Sequence, residues 1–361
     1  GCFWGGVAGW VSRRPGRALA GGIVLLLVMA SGLIGSSVGL TQAEKFRAPT
    51  DSAIGLEVLS KHFPPGEAQP MMVVTRAAAA TEVAATAADV TGVVRANVAG
   101  RTADGQWSSV MVTGSFAPGT PEAFDLVDAL RTAVHAVPGA DALVGGATAT
   151  DVDVRAGNQR GLLVSAPLVL LVSFLILIVL LRALLAPVLL LVANVVSAAA
   201  AIGLGSWLSR VVFAQPALDD QVPLLAFLFL VALGIDYTIF LVHRARLEAA
   251  RHGTRVGMVR AVAHTGSVIT SAGIVLAGVF AALGVLPLVV LGQLGIIVGV
   301  GVIVDTLVVR TVVVPALFGL VGERVWWPGR GPASRAAGGA VVREGAGYDV
   351  EGSTAALASQ R

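Results

Sequence analysis

The sequence predicts an α-helical polytopic membrane protein with six transmembrane helices in a one-plus-five order. An α+β domain of the split βαβ (ferredoxin-like) type is expected outside the membrane, between the first and second helices. Hydrophobic residues make up 55% of the chain and charged residues only 13%, and the mean hydropathy is +0.83, unlike an ordinary soluble protein. Apolar runs close to the roughly 20 residues needed to cross a bilayer recur along the chain. A polar stretch, 41–159, separates the first run from the others.

The first predicted span is 18–40, which carries no charge and is long enough to cross a bilayer with some tilt. A cleaved signal peptide is the alternative, but this apolar run is longer than a signal-peptide core and no clear small-residue cleavage site follows it. Residues 1–17 before it are expected to be cytoplasmic. The five further predicted spans form a bundle at 160–324: Gly161–Leu181, Leu184–Leu208, Val222–Val242, Gly266–Leu286 and about Leu291–Leu320.

The stretch 41–159 has the composition of a folded aqueous domain, with most of the acidic residues of the chain. We expect strands at 71–75, near VVRANVAG, near WSSVMVTGSF and near ALVGGATA, with helices over 77–90 and 121–137. The resulting order, β-α-β-β-α-β, is that of the split βαβ sandwich. Thr120, Pro121 and Glu122 form a strong helix start, with an N-cap, a proline in the first turn and an acid beside it.

Arginine predicts the orientation, because basic residues in short loops stay in the cytoplasm. Five arginines lie between 244 and 264 and three lie between 13 and 17, so both termini of this multi-pass protein are expected on the cytoplasmic side of the cell membrane. The segment 246–264 fits either an amphipathic helix with Leu247, Met258, Val259 and Val262 in the lipid surface or a solvated basic loop. The net charge of +3 follows this topology, so no nucleic-acid partner is expected.

The two ends of the chain carry little chemistry. Residues 325–361 are rich in Gly, Ala, Ser and Arg without apolar periodicity, which predicts a disordered cytoplasmic tail. Trp326 and Trp327 at its start are typical of an interfacial anchor. The single Cys2 and the absence of HExxH and Walker A patterns argue against a metal site, a nucleotide site or any cofactor. An enzyme is therefore not expected.

Two acids inside apolar runs are the strongest functional signal. Asp236 lies in GIDYTIFLVHR and Asp305 in GVIVDTLVVR. An aspartate at the centre of a spanning helix costs about 2.5–3.5 kcal/mol and normally marks a polar pathway or a proton relay. Helical spacing places Asp236 and Tyr237 on one broad stripe of their helix, and the glycines at 295, 299 and 301 let another helix approach the last span closely.

Several polar residues are candidates to support such a relay. Ser267, Thr270 and Ser271 follow one helix face and could pass a proton through hydrogen bonds, or they could bond to their own helix and only aid packing. Arg310 could pair with Asp305 or meet the cytoplasmic interface. A neutral, hydrogen-bonded carboxylic acid is the structural alternative for Asp236, and Asn194 and Ser197 are interpreted as packing residues.

Three segments in order resemble one known family: GIDYTIFLVHR, TGSVITSAGIVLAGVFAAL and GQLGIIVGVGVIVDTLVVRTVVVPAL. They are similar to the C-terminal membrane half of the mycobacterial membrane protein large (MMPL) family, within the resistance, nodulation and division transporter superfamily. FRAPTDSAIGLEVLSKHFPPG and LVGGATATDVD in the outer domain are also similar, so the resemblance extends over about 15–324.

The resemblance implies a secondary transporter that exports lipids or other hydrophobic or amphiphilic small molecules by using protons. The outer domain would be the porter domain that accepts cargo. Asp236 and Tyr237 match the proton-relay pair of the family, and Asp305 and Arg310 match its last-helix DTxVVR pattern. Two other functions remain open: a non-transport membrane module for lipid sensing or scaffolding, and a protein-export auxiliary of the same superfamily.

The chain departs from the family in its length. Family members usually contain two related six-helix halves, whereas this chain has one and begins with Gly1. We therefore expect the C-terminal half of a longer protein, with a half-size transporter that dimerises as the alternative. Its expected partners are cargo, protons, membrane lipids and a second six-helix half.

Overall fold

The computed structural model describes residues 2–40, 43–45 and 51–328. Within these ranges the structure is mostly helical, with one four-stranded sheet. In chain order the elements are α1 (Cys2–Arg13), α2 (Pro15–Ala30), α3 (Asp51–His62), β1 (Met71–Arg76), α4 (Ala80–Ala88), β2 (Val93–Arg101), β3 (Trp107–Gly114), α5 (Pro121–His135), β4 (Leu143–Gly145), α6 (Ala147–Leu181), α7 (Leu185–Val211), α8 (Val222–His252), α9 (Thr254–Leu283), α10 (Val289–Val304), a π-helical segment (Asp305–Val313) and α11 (Val314–Val321).

Six helical stretches of the described chain are long and apolar enough to cross a membrane. These are α2 with the 3-10 turn that follows it, each of α6 to α9, and the continuous run from α10 through α11. The prediction of a mostly helical protein with six candidate spans is therefore confirmed. The first span differs in its end, which lies at Leu33 and not at Leu40, because Gly35 turns the chain with a φ of 72° and Val38 then pairs with Leu218.

The sheet has the strand order β2-β3-β1-β4, and all neighbouring strands are antiparallel. Apolar side chains of β1 and β3 alternate into a core that α4 and α5 cover, with Val73, Val83, Val110, Leu130 and Val134 buried. Thr120 caps α5 as predicted, since its hydroxyl accepts from the Ala123 N–H at 3.3 Å.

The last predicted strand is shorter than expected. It ends at Gly145, because Gly146 with a φ of 111° leads directly into α6. As a result α6 begins 14 residues before the predicted span at Gly161 and runs as one helix from the sheet into the bundle.

Glycines allow the spans to touch backbone to backbone. A Cβ on Gly32 would lie 2.2 Å from the Gly203 carbonyl oxygen, so α7 and the end of the first span are in direct contact. In α10, a Cβ on Gly295 would lie 2.4 Å from the Phe280 carbonyl oxygen, and one on Gly301 would lie 2.3 Å from Leu230. The close approach predicted for this span is therefore confirmed, on α9 at one glycine and on α8 at the other.

The segment 246–264 is neither one interfacial helix nor a loop. Gly253 has a φ of 77° and joins α8 to α9. Met258 and Val262, expected in lipid, are each only 1% exposed inside the bundle, because α9 turns back against α8 and places that face inward. Val259 is partly buried against the core, whereas Leu247 is exposed.

Both ends of the described bundle are more ordered than the sequence suggested. Ala8 and Val11 of α1 are buried, so part of the expected N-terminal segment packs on the bundle. Trp326 is also buried and donates to the Thr254 hydroxyl at 2.8 Å, so it is an internal residue and not an interfacial anchor, whereas Trp327 is exposed. Residues 325–328 thus belong to the folded part, and the remainder of the predicted tail lies outside the described residues.

Candidate functional site

A buried ion pair lies in the last span. Asp305 is 8% exposed and Arg310 2%, and an Arg310 Nη2 hydrogen donates to Asp305 Oδ2. Both residues belong to the π-helical segment. The pair excludes one sequence alternative, in which Arg310 reaches the cytoplasmic interface.

Arg310 also joins the last span to α8. Its Nη2 donates to the Gly234 carbonyl at 3.1 Å and approaches the Leu233 carbonyl at 3.4 Å. Its guanidinium lies over the Tyr237 ring, with Arg310 Cζ 4.7 Å from the ring centroid. At this distance a cation is attracted to the ring face. Arg310, which the sequence placed only as support, is therefore the central residue of this cluster.

Asp236 lies on a different side of α8 from Tyr237, contrary to the single stripe predicted from helical spacing. Successive helical residues point about 100° apart, so Tyr237 reaches Arg310 while Asp236 is exposed on the outside of the described bundle. No residue in the described ranges forms a hydrogen bond or ion pair with the Asp236 carboxylate. Asp236 and Asp305 therefore have no direct hydrogen bond or ion pair between them in the described structure, where Asp305 pairs with Arg310.

The three hydroxyls of α9 do not join this cluster. Thr270 donates to the Gly266 carbonyl at 2.7 Å, and Ser271 donates to the Val268 carbonyl at 3.0 Å, while Ser267 is exposed. Gly273 of α9 does meet the π segment, since a Cβ there would lie 2.7 Å from the Thr306 hydroxyl. Thr270 and Ser271 thus follow the second sequence alternative, in which the hydroxyls bond within their own helix.

A cavity of about 10 Å³ lies beside the ion pair, between α7, α8 and the last span. Three buried polar atoms close to it have no hydrogen-bond partner: Thr306 Oγ1, Arg310 Nε and Arg310 Nη1. The space is about that of one water molecule. An unpaired polar group in a buried place raises the free energy of the folded state. The three unpaired atoms beside the cavity are therefore the part of the cluster whose hydrogen bonding is least complete.

Asn194 of α7 is a part of the site that the sequence did not predict. Its side chain lines the same cavity and donates to the Val231 carbonyl at 3.2 Å. A Cβ on Gly234 would lie only 2.1 Å from Asn194 Oδ1. The turn of α8 before Asp236 is therefore held by Asn194 on one span and by Arg310 on another. The available signals were an asparagine inside the apolar α7 and a glycine two residues before Asp236.

A second polar cluster lies around the α7–α8 connection, at the other end of α8 from the α8–α9 junction. Gln293 is fully buried in the otherwise apolar α10; it accepts from the Asp219 N–H at 2.9 Å and donates to Gln215 and to the Ala217 carbonyl. Next to it, burial raises the pKa of the Asp220 carboxyl, and the Arg155 guanidinium partly opposes the shift. These contacts tie the connection to α6 and α10.

Comparisons with known proteins identify the family of the chain. The MMPL family profile matches residues 47–343. The chain is 41% identical over 327 residues to the putative membrane protein ActII-3 of Streptomyces coelicolor, over 90% of this chain and 46% of that protein. It is 37% identical to the probable transport protein MmpL12 of Mycobacterium tuberculosis, over 64% of this chain and 21% of that protein. It is 41% identical to the apo-petrobactin exporter of Bacillus anthracis, over 52% of this chain and 25% of that protein.

The chain spans about half the length of the first of these relatives. Relatives of the chain are named as transport proteins and as an exporter, and six candidate spans indicate that this chain is a membrane protein. Because the family profile covers most of its length, the protein belongs to the MMPL family.

Proposed function

We propose that the chain forms one half of a proton-coupled exporter of lipids or other amphiphilic small molecules. Family membership supports transport. The observation that carries proton coupling is the buried Asp305–Arg310 pair, which lies against Tyr237 with Asp236 next to that tyrosine on the outside of α8. Asp236, Tyr237 and Asp305 are its proposed relay residues.

Protonation would change the balance of charge at this site. A buried ion pair is stable only while both charges are present, because removing one leaves the other without compensation. A proton on Asp305 would therefore leave Arg310 held only by the carbonyls of α8 and the Tyr237 ring. Driven by about 100 mV, one proton supplies about 2.3 kcal/mol, which is enough to shift a two-state balance between conformations.

The exposed Asp236 supports a second half. An aspartate facing lipid at mid-membrane costs about 2.5–3.5 kcal/mol, and the neighbouring Phe240 of α8 is also exposed. The chain spans 46% of its relative. We therefore place the second six-helix half, from the same longer chain or from another copy, against this face of α8.

Orientation and cargo follow from the same proposal. Arginines cluster around the α8–α9 junction, so this end and both termini are placed in the cytoplasm of the cell, and the sheet domain is placed outside. The sheet domain would receive the cargo. An amphiphile suits it because α6 connects that domain to the bundle as one continuous helix, which offers polar surface at one end and apolar surface at the other.

The test is Asp236→Asn in the full-length protein, expressed in its own cell membrane. Proton-gradient-dependent export of a labelled lipid should fall at least tenfold while the protein remains as abundant as before. Asp125→Asn on α5, also an exposed aspartate but in the sheet domain, is the matched control and should export normally. Unchanged export by Asp236→Asn would rule out its place in the relay.

A further inference from the structure

The Asp305–Arg310 pair depends on an unusual helical register. In an α-helix, residues five apart point about 140° away from each other, so they do not face one another. The segment Asp305–Val313 is π-helical, and its hydrogen bonds connect residues five apart. That wider register turns position 310 back toward the face of position 305, so the arginine reaches the carboxylate within its own helix.

The local sequence contains many side chains that fit an α-helical turn poorly. The segment and its next residue contain five valines and two threonines, whose β-branched side chains crowd the preceding turn of an α-helix. Pro315 follows at the start of α11 and has no N–H to donate. Whether the helix before it is α or π, no hydrogen bond is gained or lost at Pro315, so this boundary favours neither register.

The neighbouring helices hold the two ends of the segment separately. At its start, Thr306 lies against Gly273 of α9, and at its end Val313 lies against Gly22 of α2, where a Cβ would approach the valine to 2.8 Å. Arg310 lies between these contacts with Nε and Nη1 unpartnered. A change of register between two held ends would therefore act first on the one residue that binds α8.

We propose that residues 305–313 are a register switch with two hydrogen-bonding states. In the π state Arg310 pairs with Asp305 and holds the α8 carbonyls at 233 and 234. When the surplus residue of the π-helix migrates along the span, the local α register turns Arg310 away from Asp305 and releases α8. The role of this switch in transport rests on the proposed function above, whereas its existence does not.

Amide hydrogen exchange on the intact protein in lipid nanodiscs tests the switch without any transport assay. The matched control segment is α10, residues 295–304, which lies in the same span and is equally buried. We expect amides of 309–314 to exchange at least tenfold faster than those of 295–304, because migration of the bulge breaks each of their bonds in turn. Equal protection of the two segments would overturn the proposal.

Deletion of Leu307 tests the role of the register in transport. The deletion removes a half-exposed side chain and leaves Asp305 and the arginine four residues apart, where an α-helix can pair them. We expect the pair to survive, exchange of the segment to slow to that of α10, and export to fall at least tenfold. Leu307→Ala keeps the register and should export normally.

The outcomes of the two experiments are separable. If the deletion variant exchanges slowly and still exports normally, the switch plays no part in transport. The part of the proposal that concerns transport would then be wrong. If the deletion variant does not accumulate, the exchange result on the unmodified protein decides the proposal. Loss of export in both Leu307 variants would overturn the assignment to the register, because only one of them changes it.

Discussion

The two acids inside apolar helices have opposite surroundings. Asp305 is enclosed and paired with Arg310 within its own span, whereas Asp236 is exposed on the surface of the described bundle. Hydropathy treats the two positions alike. The difference shows that one part of the site is completed by this chain and that the other part faces outward, toward the position where we propose the second half.

Arg310→Ala should give the largest loss of stability, and it tests the surroundings of the enclosed acid, Asp305. Removing one partner leaves Asp305 as a buried uncompensated charge, which typically costs about 3–5 kcal/mol. Thermal unfolding of the purified chain measures it. The double variant Asp305→Leu with Arg310→Met should recover most of the stability, since no charge is left unpaired. A loss below about 1 kcal/mol in Arg310→Ala would mean that the pair is solvated.

Gly234→Ala comes next and tests the turn of α8 that lies between the two acids. The new methyl group would lie 2.1 Å from Asn194 Oδ1, and such overpacking costs about 1–3 kcal/mol. Gly278→Ala in α9 is the matched control, because nothing lies within 4 Å of its Cβ position. Adding Asn194→Ala should relieve the clash, and a failure to do so would place the strain elsewhere.

The exposure of Asp220 is intermediate between those of the two acids. Its contribution to the stability of the folded chain should depend on pH. Burial raises its pKa in the folded state, so the folded chain holds this proton more tightly than the unfolded chain. Its contribution to stability is therefore present at low pH and is lost as the pH rises from about 4 through the raised value. Unfolding temperatures measured over this range should decline less in Asp220→Asn, and an identical pH profile would contradict the shift.

Asp236→Asn should be the least destabilising of these changes. It removes no hydrogen bond or ion pair within the described residues and relieves the cost of a charge on the membrane-facing side of α8, so the unfolding temperature should not decrease even though export is expected to fall. This pairing of undiminished stability with a large loss of transport would sharpen the contrast with Arg310. A loss of several kcal/mol would show that Asp236 is partnered within this chain.

Sequence reasoning succeeded where the signal is local along the chain. Thr120 was predicted as an N-cap because capping depends on the next three residues, and the close approach at Gly295 and Gly301 was predicted because small residues permit it in any bundle. It failed for Met258 and Val262, whose apolar face suits lipid and protein interior equally well. Gln293 and Asn194 were missed because a single amide in an apolar helix does not show what it binds.

The sequence by itself determined the six apolar stretches, the sheet-forming segment and the presence of two acids in oily helices, since composition and periodicity are properties of neighbouring residues. Only the tertiary structure decided that Asp305 pairs with Arg310 and that Asp236 points outward. The physical reason is rotational: a helix face acquires its environment from the helices around it, and a π register changes which residues share that face.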